Sequence, residues 1–286
     1  MSIDWRILEL RFSHRARFGR LRFMKFFAVS ILVFWLVAVL LGRVLHLNPD
    51  LIDLHAILST PSEHYWLGAD DLGRSLLARL LRGVEVSFLV AITVTSVTMC
   101  IGVLVGLIAG FYGGKVDRFL MQITDIFLAF PGILLAIAFA AVLGPGIINL
   151  MIALCLTGWV SYARLTRGQT LSLRNRQHVQ ASESLGAKVP RLIAYHILPL
   201  LTSILVVEAT YSIASVIIAE ASLSFLGLGI QAPNASWGAM LRDGVRYMLV
   251  APHYVLVVGF SLMSLILAIN LGGDYLRASL NVQADA

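Results

Sequence analysis

The sequence predicts an all-α membrane protein with six transmembrane helices. Of its 286 residues, 58% are hydrophobic and only 13% are charged, whereas an ordinary soluble domain is about 25% charged. The mean hydropathy is +0.85. Backbone groups cannot stay unpaired in hydrocarbon, so each apolar run of membrane length is expected to be a helix. Six runs qualify: residues 26–45, 86–111, 119–143, 146–163, 200–226 and 253–273.

The distribution of basic residues predicts that both termini are cytoplasmic. Lys and Arg are concentrated before the first run, between the second and third, between the fourth and fifth, and after the sixth. The positive-inside rule places that richer side in the cytoplasm. Residues 164–199 then form the longest cytoplasmic loop, and residues 46–85 lie outside. Because topology accounts for the net charge of +6, the charge does not indicate nucleic-acid binding.

Three parts follow along the chain. Residues 1–25 form a cytoplasmic N-terminal segment. Residues 26–85 hold the first transmembrane helix and an outer loop, and residues 86–280 form the transmembrane core with its cytoplasmic loop. The end of the outer loop has helical apolar spacing, which predicts an amphipathic helix on the membrane surface before the second span. That spacing is set by Leu72, Leu76, Leu77, Leu80 and Leu81.

Glycine recurs every four residues in the second span, at Gly102, Gly106 and Gly110. Small residues at this spacing make a flat stripe that lets another helix approach closely. The sequence therefore predicts a tight packing seam between the second span and a neighbouring helix.

The chain lacks the sequence motifs of catalysis and metal binding. The stretch AGFYGGKV departs from a phosphate-binding loop at Ala109, where Gly is required, and at Val116, which follows the Lys. His55 and His64 are too few for a metal site, and both cysteines lie inside apolar runs. We therefore expect no catalytic residue, metal or cofactor in this chain, and any energy for active transport would come from another subunit.

Residues 180–199, QASESLGAKVPRLIAYHILP, interrupt the apolar pattern. A polar helical pattern ends before Gly186, which suits the left-handed conformation that stops a helix. Pro190 suits the first turn of the next helix, and Pro199 is expected to end it. The predicted arrangement is helix, glycine bend, helix, either docking into a partner through its small residues or resting on the membrane. The second helix would present Val189, Leu192, Ile193 and Ile197 on one face, with Leu185 in phase.

This 180–199 segment resembles the EAA loop of bacterial ABC-importer permeases. The matching positions are Gln180, Ala181, Ser182, Gly186, His196, Leu198 and Pro199. Further stretches at 66–83, 111–146, 219–241 and 270–280 are similar to the peptide/nickel permease family, specifically its second permease subunit. The similarity covers roughly residues 60 to 280.

The resemblance implies a type I ABC-importer permease in the bacterial inner membrane. It implies four kinds of neighbour: a homologous permease subunit in a heterodimer, two cytoplasmic ATPase subunits that bind ATP and Mg, an extracytoplasmic substrate-binding protein, and the lipid bilayer. The ATPase-coupling residues would be Gln180, Ala181, Ser182, Leu185, Gly186, His196 and Pro199. The family usually has Glu in place of Gln180 and Ala in place of Ser182, so charge assistance in that contact is in doubt.

The resemblance implies di- or oligopeptides as the substrate, with nickel or another small solute as the alternative. An ion-coupled secondary carrier is the alternative from a different class. Carriers often contain inverted repeats, and the sequence shows none. The substrate itself stays open, because its choice rests largely on the binding protein.

Glu208 is a candidate residue of the translocation pathway, with Tyr211 beside it. It lies inside the fifth apolar run, where a charged side chain is costly and usually faces a bundle interior or water. Three interpretations remain. Glu208 is protonated and hydrogen-bonded at a helix contact, or it lines the pathway and attracts a cationic group, or it lies nearer the cytoplasmic interface. We adopt the pathway role as the hypothesis.

Overall fold

The computed structural model describes the backbone of residues 5–284 and the side chains of residues 24–280. The described chain is helical and has no β-strand, which confirms the all-α prediction. Its helices are α1 (Trp5–Val44), α2 (Leu76–Tyr112), α3 (Gly114–Leu128), α4 (Gly132–Leu143), α5 (Ile147–Leu173), α6 (Gln177–Ser184), α7 (Val189–Leu192), α8 (Leu198–Phe225), α9 (Trp237–Arg246) and α10 (Pro252–Ala284).

Five of the described helical segments are long and apolar enough to cross a membrane. They are α1 from Met24 onwards, α2, α5, α8 together with the turns before it, and α10. Helices α3 and α4 make a sixth if they are counted as one span, but they are bent by 83° at their junction. Pro131 starts α4 and disfavours helical backbone at the preceding residue, so the predicted span 119–143 is broken.

The predicted surface helix before the second span is wrong. Residues 76–85 are the first turns of α2, which starts at its N-cap Ser75. Their apolar face packs on protein rather than on the membrane surface. The indole Nε1 of Trp237 donates to the Leu80 carbonyl at 3.0 Å, and Leu76 and Leu80 are buried. Tertiary packing thus extends the transmembrane helix outward.

The glycine stripe of α2 packs against α5, as predicted. A Cβ on Gly102 or Gly106 would collide with the backbone of α5, including the Ala163 carbonyl, and one on Gly110 would meet the Thr170 Cβ at 2.7 Å. The three glycines therefore set the distance between the two helices.

The outer loop is tied to α2 by a buried ion-pair network. Asp70 is fully buried and accepts from Arg74 Nε at 2.7 Å, while Arg79 Nε lies 3.3 Å from the same carboxylate oxygen. Burial raises the pKa of the neighbouring Asp71. The network fixes the loop before Ser75 against the first turns of α2.

The chain passes from α7 into α8 without a break, contrary to the expectation that Pro199 ends the helix. Residues 193–197 form one π turn, closed by the Leu198 N–H donating to the Ile193 carbonyl. Pro199 then lies in the first turn of α8, where its missing N–H is tolerated. The residues from Val189 to Phe225 are accordingly one continuous helical segment.

Candidate functional site

A cavity of about 470 Å³ lies between the start of α4, the middle of α5 and the length of α8. We call it the α5–α8 cavity. The side that α8 contributes is a stripe of mostly polar residues at helical spacing, so one face of an otherwise apolar helix is turned towards the cavity. The polar members of this stripe are Glu208, Tyr211, Ser212, Ser215 and Ser222.

Glu208 lies on the wall of this cavity and is partly buried. No described residue hydrogen-bonds or ion-pairs with its carboxyl group. The buried Tyr162 hydroxyl lines the same cavity and lies near Ser212 without a well-formed hydrogen bond. Unpartnered polar groups of this kind are costly in a sealed core. The Tyr162 hydroxyl is closed off from solvent, whereas Glu208 is partly exposed, so the placement of Glu208 indicates a wall that meets water or a polar solute.

Tyr211 also lines the cavity, but its hydroxyl is committed elsewhere. It donates to Asp274 Oδ1 of α10 at 2.5 Å. At the adjacent residues, a Cβ on Gly273 would meet Thr210 Oγ1 at 2.8 Å, so α8 and α10 are in close contact here. Tyr211 therefore holds α8 against α10 and contributes its ring to the cavity wall.

The bend of the 180–199 segment is a Schellman motif. The Ala187 N–H donates to the Ser182 carbonyl at 3.1 Å, and the Gly186 N–H donates to the Glu183 carbonyl at 2.9 Å. Gly186 has φ +87° and open space around its Cβ position. Its conformation, and not its size, is what the bend requires. The predicted glycine stop is confirmed.

The structure brings two of the predicted coupling residues together and leaves others at the surface. Ser182 Oγ and His196 Nε2 are 3.1 Å apart, so the two arms of the segment are joined across the bend. Gln180 and Ala181 are exposed. Leu185 is 89% exposed and does not share the buried face of Leu192, so the predicted phase is wrong. The reason is that the chain reverses at the next residue, Gly186.

Two polar contacts brace this end of the molecule, and sequence reasoning missed both. Arg167 of α5 pairs with both carboxylate oxygens of Asp117 in α3. Arg174 donates to the Gly110 and Phe111 carbonyls at the end of α2, at 3.1 and 2.9 Å. Basic side chains that satisfy the last carbonyls of a helix are a common cap. Here the cap joins the C-terminal end of α5 to the glycine seam of α2.

A second acid on α8, Glu220, was also missed as a structural centre. It is fully buried and accepts from Ser87 Oγ of α2 and from Ser224 Oγ, both at 2.9 Å. The Ser224 oxygen in turn accepts from the Ile230 N–H at 3.2 Å. An acid inside an apolar run was the available signal, but its partner in α2 is 133 residues away in sequence.

Sequence comparison identifies relatives over most of the chain. Residues 102–281 match the family described as "Binding-protein-dependent transport system inner membrane component". The glutathione transport system permease protein GsiD of Pectobacterium atrosepticum is 42% identical over 221 residues, which are 77% of this chain and 73% of the relative. The dipeptide transport system permease protein DppC of Alkalihalophilus pseudofirmus is 41% identical, over 78% of this chain and 74% of the relative. The oligopeptide transport system permease protein OppC of Bacillus subtilis is 38% identical, over 77% and 72%.

The fold has a counterpart among solved structures. An inward-facing structure of the MetNI methionine ABC transporter superposes with a TM-score of 0.58 at 20% sequence identity, covering 70% of this chain and 95% of the matched chain. At that identity the likeness speaks for the fold alone. The ion-coupled carrier is set aside, because the matched family is one of binding-protein-dependent transport and the relatives are named as permease proteins of such systems. The chain belongs to the family of inner-membrane permease components of binding-protein-dependent ABC importers.

Proposed function

We propose that this chain is one of two permease subunits of an ATP-driven importer of di- or oligopeptides. Relatives about 40% identical are named as dipeptide, oligopeptide and glutathione permeases. The observation that carries the proposal is the polar face of α8, which lines the α5–α8 cavity with one carboxylate among hydroxyls. A homologous second subunit would supply the opposite wall of the pathway.

The chemistry of this wall suits a short peptide. In the proposed role, the Glu208 carboxylate pairs with the peptide's N-terminal ammonium group. The hydroxyls of Ser212 and Ser215 can both donate and accept, so they can exchange hydrogen bonds with passing peptide N–H and C=O groups. Weak and repeated contacts of this kind bind a solute without trapping it.

The proposed complex also contains two cytoplasmic ATPase subunits, which bind ATP and Mg, and an extracytoplasmic binding protein that delivers the substrate. The 180–199 segment docks into an ATPase subunit with Leu185 and Gly186 at its tip and Gln180 and Ala181 on its flank. Closure of the ATPase pair moves this segment, and the continuous helix from Val189 to Phe225 carries that motion to the cavity wall. His196 and Pro199 lie where the segment joins α8.

The experiment for the substrate is uptake in a strain that lacks this chain and is complemented with it. We expect uptake of a labelled dipeptide to return with the chain, and to be lost when the ATPase subunits carry a catalytic substitution. Glutathione and Ni²⁺ serve as the alternative labelled substrates. Restored Ni²⁺ uptake without dipeptide uptake would overturn the peptide assignment.

The orientation is tested separately with single cysteines. Ser172 and Ser62 are both exposed in the structure. After replacement of Cys100 and Cys155, we expect Ser62→Cys to react with an impermeant thiol reagent in intact cells. Ser172→Cys should react only after the membrane is opened. The opposite pattern would invert the proposed topology, in which both termini are cytoplasmic.

A further inference from the structure

A second cavity, of about 550 Å³, lies where the end of α1 meets the first turns of α2. None of the residues that line it lines the α5–α8 cavity. Its walls carry charges of both signs, in contrast to the mainly apolar surface of the spans around it. The charged or titratable residues that line it are Arg43, His46, Asp50, Arg82 and Glu85.

The cavity opens at the edge of the membrane. The apolar span of α1 runs from Met24 to Val44, so Arg43 sits at its last turn, and its side chain is 67% exposed. An adjoining face of α1 exposes apolar side chains at helical spacing, which suits contact with acyl chains. Those side chains belong to Val37, Leu40, Leu41 and Val44.

Both arginines are positioned and still have donors to spare. Arg43 Nε donates to Glu85 Oε1 at 2.7 Å, and Arg82 Nη1 donates to Glu85 Oε2 at 2.9 Å. A guanidinium group has five N–H donors in a fixed fork, and the described residues supply each arginine with this one acceptor. Glu85 therefore holds the two guanidinium groups side by side, an arrangement that suits the oxygens of a phosphate group.

The same cavity presents a carboxylate for a cation. Asp50 is 51% exposed and lies 3.7 Å from Arg79 Nη1, a distance that leaves its oxygens accessible. Among the residues that line the cavity, Arg43 and Arg82 balance Glu85 and Asp50, so the lining has no net charge when His46 is neutral, and Arg79 divides its charge between Asp50 and the buried Asp70. A zwitterion matches it better than a free phosphate or an anionic headgroup does.

We propose that this cavity binds the headgroup of a phospholipid of the ethanolamine type. The phosphate lies on Arg43 and Arg82, the ammonium group lies on Asp50, and the acyl chains run along the exposed apolar face of α1. The lipid is a structural ligand that fastens α1 to α2, at a site distinct from the transport pathway.

The test is native mass spectrometry of the intact transporter complex, released from membranes that contain phosphatidylethanolamine and phosphatidylglycerol. The wild type should retain phosphatidylethanolamine. The double variant Arg43→Gln/Arg82→Gln should retain about tenfold less, because the charge-assisted bonds to phosphate are lost. The matched control is Arg246→Gln, which removes one charge from an exposed arginine outside the cavity.

Two further variants and one cross-linking measurement test the proposal. Arg43→Lys/Arg82→Lys keeps the charge and should retain an intermediate amount even if the glutamine variant assembles poorly. Asp50→Asn should shift retention towards phosphatidylglycerol. Equal phosphatidylethanolamine retention by the wild type and both double variants would overturn the proposal. So would an efficient cross-link from His46→Cys to another protein chain in native membranes, because the occupant would then be a partner.

Discussion

Helix α8 carries two carboxyl groups, Glu208 and Glu220, in opposite situations. Glu220 is fully buried, and two serines donate to its two oxygens at 2.9 Å. Glu208 lies on a cavity wall, and no described residue pairs with it. They are twelve residues apart, which corresponds to about 18 Å along a helix. One helix thus carries a carboxyl group whose hydrogen bonds stabilise the fold and another that has no hydrogen-bond partner among the described residues.

The difference in hydrogen-bond partners offers a way to distinguish an acidic residue that stabilises a helical membrane protein from one that is free to contact a solute. A buried polar group whose hydrogen bonds are all made within the chain contributes to the stability of the fold. An ionisable group inside an apolar helix that has no hydrogen-bond partner in the chain and lies on a cavity wall is available to a solute or to water. Sequence position alone does not distinguish the two, since both lie within the same apolar run.

The largest effect is expected from Glu220→Ala. This change leaves the Ser87 and Ser224 hydroxyls without an acceptor and opens a void, which together cost roughly 3 kcal/mol of folding free energy. The amount of chain in the membrane and the thermal midpoint of the purified complex should both fall. Glu208→Ala is the matched control and should change the midpoint little. Similar midpoints for the two variants would break the comparison.

A large functional effect with little structural effect is expected from Glu208→Gln. The variant keeps size and hydrogen bonding but loses the negative charge, so dipeptide uptake should fall about tenfold, the scale of one charge-assisted hydrogen bond. Membrane levels should match the wild type. Glu208→Asp should recover part of the uptake. Unchanged uptake by Glu208→Gln would remove the charge from the mechanism, and failed assembly would make Glu208 structural.

Gly186→Val extends the comparison from the cavity wall to the 180–199 segment. It tests whether the bend at Gly186 links substrate transport to ATP hydrolysis. A β-branched residue at φ +87° is strained by roughly 1–3 kcal/mol, so the bend should distort. Substrate-stimulated ATP hydrolysis in the reconstituted complex should fall several-fold while the chain remains in the membrane. Gly168→Val is the control, because that glycine has open space and no positive φ. Full stimulation with Gly186→Val would exclude the bend from coupling.

The smallest effect is expected from Ser87→Ala, which removes one of the two donors to Glu220. The expected loss is about 1 kcal/mol of folding free energy, visible as a modest fall in the thermal midpoint. Ser215→Ala on the cavity wall is the matched serine and should leave the midpoint unchanged. A loss as large for Ser215→Ala as for Ser87→Ala would mean that the cavity-lining face of α8 contributes as much to stability as the contact of Ser87 in α2 with Glu220.

The features predicted correctly were those that depend on the local pattern of residues along the chain. Hydropathy identified the apolar runs, the four-residue spacing of Gly102, Gly106 and Gly110 identified the seam, and Gly186 identified the bend. Each of these depends on a few neighbouring residues and on a general property of helices. The role of the coupling residues remains a prediction.

The features predicted wrongly or missed depend on contacts between distant residues. The surface helix became part of α2 because Leu80 meets Trp237. Pro199 failed to end a helix because a π turn precedes it. The Ser87–Glu220 hydrogen bond and the Asp117–Arg167 pair join helices that are far apart in sequence. A single sequence gives no signal for such pairs.

The π turn at 193–197 gives the continuous helix from Val189 to Phe225 one point of weaker backbone hydrogen bonding, which we expect to act as a pivot. A π turn widens the backbone ring and weakens the regular hydrogen-bond ladder at one point, and Pro199 removes a further donor beside it. Glu208 lies eleven residues beyond Ile197, a lever arm of about 16 Å. A tilt of about 10° at this pivot would sweep the Glu208 carboxylate sideways by about 3 Å, roughly one hydrogen-bond length. In the pathway role proposed for Glu208, a small angular displacement at residues 193–197 is therefore enough to make or break its contact with a solute.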